Sequence, residues 1–114
     1  MEQRIDLAKA RELLEENLPT WELREDQLYR RFSTANWRVT LMTTSAIGFL
    51  AEAAYHHPRM ILNYRSVEIY LTTHDAGGLT QKDFDLALKI EQTVNWPRRD
   101  RDAPDARPKE WLRS

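Results

Sequence analysis

From Ala35 to about Tyr55 the chain runs without a proline, is rich in Ala, Leu and Met, and is then closed by His56-His57-Pro58. Proline has no N–H to donate, its ring clashes with the preceding helical turn, and it disfavours helical backbone at the residue before it. The segment is therefore read as one long central helix with the histidine pair at its terminus. Trp37, Leu41, Met42, Ile47, Phe49 and Leu50 spread over more than one helical face. That breadth predicts contacts with the chain's own sheet and with a neighbouring subunit.

Shorter elements flank this helix. Ile5, Ala8, Leu13 and Leu14 have a helix-compatible pattern that ends at Leu18-Pro19. Trp21 and Leu23 alternate with polar neighbours, Arg24-Glu25-Asp26-Gln27 reads as a turn, and Leu28, Tyr29 and Phe32 complete a β-hairpin. After Pro58 a loop is expected, followed by a half-buried strand in which Val67, Ile69 and Leu71 alternate with Glu68, Tyr70 and Thr72. Asp75-Ala76-Gly77-Gly78 turns the chain, with glycines able to take positive φ. Thr80 then reads as the N-cap of a last helix carrying Phe84, Leu86, Ala87, Leu88 and Ile90, which ends by Trp96-Pro97.

With 114 residues, 41% of them hydrophobic, there is material for one core and no second domain. The expected division is a single domain over residues 1–96 and a charged, flexible tail over 97–114, where Pro104 and Pro108 interrupt alternating charge and Trp111 is the one large aromatic. A formal net charge of −1 provides no overall field toward nucleic acid or an anionic membrane, and the basic residues form no single helical stripe. No apolar run approaches the roughly 20 residues that span a bilayer, and the opening Met1-Glu2-Gln3-Arg4 lacks the apolar segment of a secretion signal. A soluble, cytosolic protein is expected. Cysteine is absent, so disulfides, thiol nucleophiles and thiolate metal sites are excluded.

The three histidines are grouped as His56 and His57 before Pro58, and His74 just past the strand. Imidazole exchanges protons near neutral pH, so this grouping points to a proton-transfer site, against the simpler reading of a helix end followed by a surface histidine. If the central helix persists through His56, Glu52 lies one turn away on the same face and can orient its ring. His57 is rotated away by the helical geometry. His74 shares strand parity with Glu68, Tyr70 and Thr72, opposite the core. Asp83 follows Thr80 by three positions, so a capping box is its first explanation. Gly77-Gly78 is no phosphate loop, and the histidine spacing is not that of a HExxH zinc site, so no metal is expected.

The ordered motifs Ala51-Glu52-Ala53-Ala54-Tyr55-His56-His57-Pro58, Asn63-Tyr64, Val67, Leu71-Thr72-Thr73-His74-Asp75-Ala76-Gly77-Gly78-Leu79-Thr80, Asp83 and Leu86-Ala87 resemble those of the pterin-4a-carbinolamine dehydratases. The resemblance spans Phe32 to Gln92. It implies an α+β fold, a small antiparallel sheet with helices on one face, assembled as a homodimer or homotetramer. It implies dehydration of 4a-hydroxytetrahydropterin, a reduced pterin, with no cofactor and no metal. The matching positions are His56, His57 and His74 as catalytic residues, with Glu52, Pro58, Tyr64 and Asp83 binding substrate or shaping the site. In this reading His56 and His74 form the acid/base pair, His57 orients the substrate, and Glu52 tunes an imidazole or meets the amino-pyrimidine edge. Many relatives carry an aromatic residue where this chain has Met60, and Phe-Met-Thr where it has Leu41-Met42-Thr43. The rival reading is a noncatalytic protein of the same fold that serves as a dimerising partner or assembly factor, using the broad helix surface or the tail. The retained histidines and Glu52 favour the enzyme.

Overall fold

A computed structural model describes residues 3–95, so the expected tail, Trp96-Pro97 and Trp111 lie outside the described residues. The chain orders as α1 (Leu7–Asn17), β1 (Glu22–Arg24), β2 (Gln27–Ser33), α2 (Trp37–Ala53), β3 (Arg59–Asn63), β4 (Ser66–Leu71), a single 3₁₀ turn (His74–Ala76) and α3 (Gln81–Val94). The four strands make one antiparallel sheet in the order β1-β2-β4-β3.

Each element begins where its sequence supplies a partner for the first free amides of a helix or a turn for a hairpin. The Asp6 carboxylate accepts from the Lys9 N–H at 2.8 Å to start α1, and the Asn36 side chain accepts from the Val39 N–H at 3.0 Å to start α2. Between β1 and β2 the turn is Glu25-Asp26, with Glu25 in the left-handed region at φ 57°, and Arg24 faces Gln27 across it. Along α1, Ala10 and Leu14 are the buried positions and Leu13 is half-buried, as is Ile5 just ahead of the helix, where the sequence pattern begins it. Ala8, expected on the inner face, is exposed.

The stretch after Pro58, expected to be a loop, instead forms β3, an edge strand paired with β4 from Arg59↔Tyr70 to Asn63↔Ser66. Met60-Ile61-Leu62 has no period-2 alternation to announce a strand. Its conformation is set by the neighbour it pairs with, a tertiary constraint that a local pattern does not carry.

Helices cover one face of the sheet. Leu28 and Phe32 of β2 and Val67, Ile69 and Leu71 of β4 are fully buried, and α2 contributes Ile47 and Ala51. From α3 come Phe84, Leu86, Ala87, Ile90 and Val94. The outer face of the sheet carries polar and aromatic side chains: Arg24 stacks over Tyr29, Arg59 over Tyr70, and the two tyrosine rings lie 4.9 Å apart. Burial, reinforced by donation of its hydroxyl to Glu68 at 2.7 Å, pushes the Tyr29 phenol up to about 12. Among the described residues no helix is long and apolar enough to cross a membrane.

Inside the helical layer one ion pair is set into the apolar packing. Buried Arg30 on β2 grips Glu91 of α3 through Nε to Oε1 at 2.9 Å and Nη2 to Oε2 at 3.0 Å. The Trp21 indole N–H donates to the same carboxylate at 2.8 Å, and the Asn95 amide donates to Oε2. Burial pushes the Glu91 carboxyl up, but these donors outweigh it and hold it below its ordinary 4.5. Glu91→Ala leaves the guanidinium buried without its counter-charge, and about 3 kcal/mol of stability should be lost in urea denaturation at pH 7. Because the carboxyl is depressed in the folded state, its contribution is complete above its ordinary value and fades as pH falls through the folded-state value. The stability of Glu91→Gln should therefore change less between pH 7 and pH 3 than that of the unmodified chain.

Candidate active site

The site is assembled by the way α2 stops. Ala54 caps the helix, the Tyr55 N–H donates to the Glu52 carbonyl at 3.0 Å, and the His56 N–H donates to the Ala51 carbonyl at 3.0 Å. This is a Schellman closure, which requires its turning residue in the left-handed region and ordinarily uses glycine there. Here Tyr55 takes that conformation at φ 50°. The chain reverses, and His56, His57 and half-buried Pro58 lead into β3.

The reversal decides which carboxylate meets which imidazole. Helix α2 ends at Ala53, so the helical pairing of Glu52 with His56 does not form. Glu52 Oε1 instead lies 2.9 Å from His57 Nε2 on the exposed surface, with the Tyr55 ring packed edge-on against the His57 ring at 5.5 Å. His56, nearly buried, turns inward and places Nε2 2.6 Å from Asp83 Oδ1.

Asp83 is completely buried in the first turn of α3, and its other oxygen accepts the Thr80 backbone N–H at 2.9 Å and the Thr73 hydroxyl at 2.8 Å. The capping box with Thr80 is present as expected, and the same carboxylate also anchors His56. Opposite an ionised carboxylate, which only accepts hydrogen bonds, His56 Nε2 is the donor, and a neutral ring then presents its lone pair at Nδ1. Thr73 was not among the expected site residues. It occupies the buried parity of β4 beyond Leu71, and a hydroxyl on that side of the strand needs an internal partner, which is the signal that points to it.

His74 follows Thr73 directly and opens the 3₁₀ turn, exposed to solvent. Arg59↔Tyr70 pairing puts the start of β3 beside the end of β4, so all three histidines arise at the same end of the sheet. Thr73 and Gly78 bridge the base of the turn, and Gly77 closes it at φ 75°. The chain's beginning straps this loop: the Ile5 N–H donates to the Leu79 carbonyl at 2.7 Å, and Arg4 lies so close over Gly78 that a Cβ there would meet its Nε at 2.6 Å. Tyr64 lies elsewhere. It is exposed in the β3–β4 turn, at the opposite end of β3 from Pro58, roughly 20 Å along the strand, where its carbonyl accepts from the Thr40 hydroxyl at 2.9 Å.

Beside His56 opens a cleft of about 390 Å³ between the end of α2 and α3, lined by Leu50, Ala53, Ala54, His56, Lys82, Asp85, Leu86 and Lys89. His57 and His74 are not part of its lining. Among the described residues no group of three or more His, Asp or Glu side chains is arranged to hold a metal ion.

The pterin 4 alpha carbinolamine dehydratase family model matches residues 3–93 of the chain, a span that contains every residue of this cluster. The chain belongs to this family. A protein of Aquifex aeolicus (strain VF5), provisionally named pterin-4-alpha-carbinolamine dehydratase, is 45% identical over 79 residues, 69% of this chain and 80% of that relative. A protein of the same provisional name from Thermomicrobium roseum is 39% identical over 92 residues, 81% of this chain and 98% of the relative. Among solved structures, a transcriptional coactivator/pterin dehydratase from Brucella melitensis superposes with a TM-score of 0.72 at 23% identity, covering 78% of this chain and 96% of that one. A pterin dehydratase-like protein described as a RuBisCO assembly factor in the alpha-carboxysome has a TM-score of 0.51 at 19% identity, covering 62% and 82%. These structural likenesses establish the α+β fold of the dehydratase family for this chain.

Two measurements probe the local construction. Tyr55→Gly removes the left-handed backbone cost and should raise stability by about 0.5–1 kcal/mol, whereas Tyr55→Ala brings no such relief, since alanine pays the same cost. Asp83→Ala strips the cap and removes the carboxylate that meets the Thr73 hydroxyl and the His56 ring nitrogen, and it should cost about 2–3 kcal/mol in chemical denaturation.

Proposed function

We propose that this chain dehydrates a 4a-hydroxytetrahydropterin of the tetrahydrobiopterin type to the quinonoid dihydropterin and water, by histidine acid/base catalysis. Family membership supports dehydratase chemistry, and one observation carries the assignment to residues: Asp83 ties His56 directly, and the His74-bearing turn through Thr73, to a single buried carboxylate.

The reaction needs one proton donor and one acceptor facing the same bicyclic ring. The acid protonates the C4a hydroxyl, the C4a–O bond breaks with its electron pair on the departing water, the N5 lone pair forms the C4a–N5 double bond, and the base takes the N5 proton. His56 and His74 are assigned to this pair, with His56 Nδ1 as its working atom. His57, held by Glu52, orients the substrate, and Glu52 has a second oxygen for the amino-pyrimidine edge. Asp83 is a positioning residue that fixes the His56 tautomer, and Pro58 shapes the site. The match of Tyr64 to a family site position has no support from its place at the far end of β3.

A second reading, a noncatalytic partner or assembly factor, draws on one observation. Trp37, Leu41, Met42 and Phe49 of α2 are exposed, and the first three line an apolar groove of about 600 Å³ with Thr93 and Val94. A homodimer or homotetramer closing over this face of α2 accounts for it within the enzyme reading, and a cytoplasmic location is part of the same proposal.

Stopped-flow loss of 4a-hydroxytetrahydropterin should exceed the spontaneous rate. In single turnovers His56→Ala and His74→Ala should each slow it by about 100-fold or more. A rate no faster than the spontaneous one would favour the noncatalytic reading, and unchanged rates for both variants would rule out this acid/base pair.

A further inference from the structure

The cleft beside His56 has a chemical asymmetry that dehydration of a neutral pterin does not call for. Its α2 wall is small and apolar at Ala53 and Ala54, while its α3 wall carries two ammonium groups, Lys82 and Lys89. Seven positions apart on one helix, the lysines lie two turns from each other on the same face, roughly 10 Å between their backbones and within reach of a shared ligand. Asp85 stands between them and accepts from the Gln81 amide at 2.9 Å. Among the described residues, neither lysine has a hydrogen bond or ion pair. Lys82 also immediately precedes Asp83, the residue that holds His56, so one end of the cationic wall is fixed next to the proposed reacting imidazole.

Resting on the dehydratase reading, we infer that Lys82 and Lys89 form a subsite for an anionic substituent on the pterin, and that the substrate class is a 4a-hydroxytetrahydropterin whose C6 side chain ends in a phosphate. The ring stays at the histidines, outside the cleft, and the C6 side chain passes His56, the one histidine in the cleft lining, and runs along α3 toward the ammonium groups. A volume of about 390 Å³ is ample for a short side chain ending in a phosphate. Lysine binds phosphate as a mobile point charge, so selectivity from this wall is electrostatic and is screened by salt.

Titration calorimetry with 7,8-dihydroneopterin and its 3′-monophosphate, at low and at high salt, tests this, with inorganic phosphate as the control for an anion alone. The phosphorylated ligand should bind about tenfold more tightly at low salt, the gap should narrow with added salt, and inorganic phosphate should bind far more weakly than either pterin. In Lys82→Ala/Lys89→Ala, two exposed helix positions, the ratio of the two dissociation constants should fall to within about twofold. Equal affinities in the unmodified chain, a preference that survives the double variant, or inorganic phosphate binding as tightly as the phosphorylated pterin would each overturn the subsite. If the neutral pterin binds and its 4a-hydroxy form is dehydrated with no preference for phosphate, the subsite alone fails. If neither pterin binds and neither 4a-hydroxy form is dehydrated, the dehydratase reading fails with it.

Discussion

The completely buried Asp83 carboxylate is the constraint on which this end of the molecule depends. One oxygen accepts two donors, from the start of α3 and from the exit of β4, and the other meets the imidazole that follows α2. An ionised group without solvent is costly unless its hydrogen bonds are supplied, and three elements must be in register to supply them. Helix capping and placement of a ring nitrogen are thus one arrangement. At the other end of α3, Glu91 plays a comparable part with Arg30 and Trp21, so the helix is pinned to the sheet through a carboxylate in its first turn and another in its last.

Much of this was legible because the relevant rules are local. Proline at position 58 requires a helix terminus near the histidine pair, Thr80 with Asp83 is a cap signature, and the alternation from Val67 to Leu71 assigns the core face of β4. Those rules locate the candidate residues along the chain and the ends of the elements that bear them.

What they miss has a common cause. Strand β3 exists because β4 offers a partner, and Met60-Ile61-Leu62 has no periodicity of its own. The exchange of carboxylates, Glu52 to His57 and Asp83 to His56, follows from a left-handed tyrosine at the helix end, where this closure ordinarily uses glycine. Non-glycine residues held in that region cluster where the surrounding structure over-determines them, and here the surroundings are the Schellman bonds and the His57 ring. Thr73 was hidden in a motif noted for its neighbour, and its meaning lies in the side of the strand it occupies.

The strap formed by Arg4 and Ile5 over Gly78 and Leu79 ties the start of the described chain to the turn that bears His74. A segment that looks like a dispensable leader to α1 is in effect the back wall of the histidine-bearing turn. Substitutions at Arg4 or Ile5 therefore bear on the turn that carries His74, although both residues are remote from it in sequence.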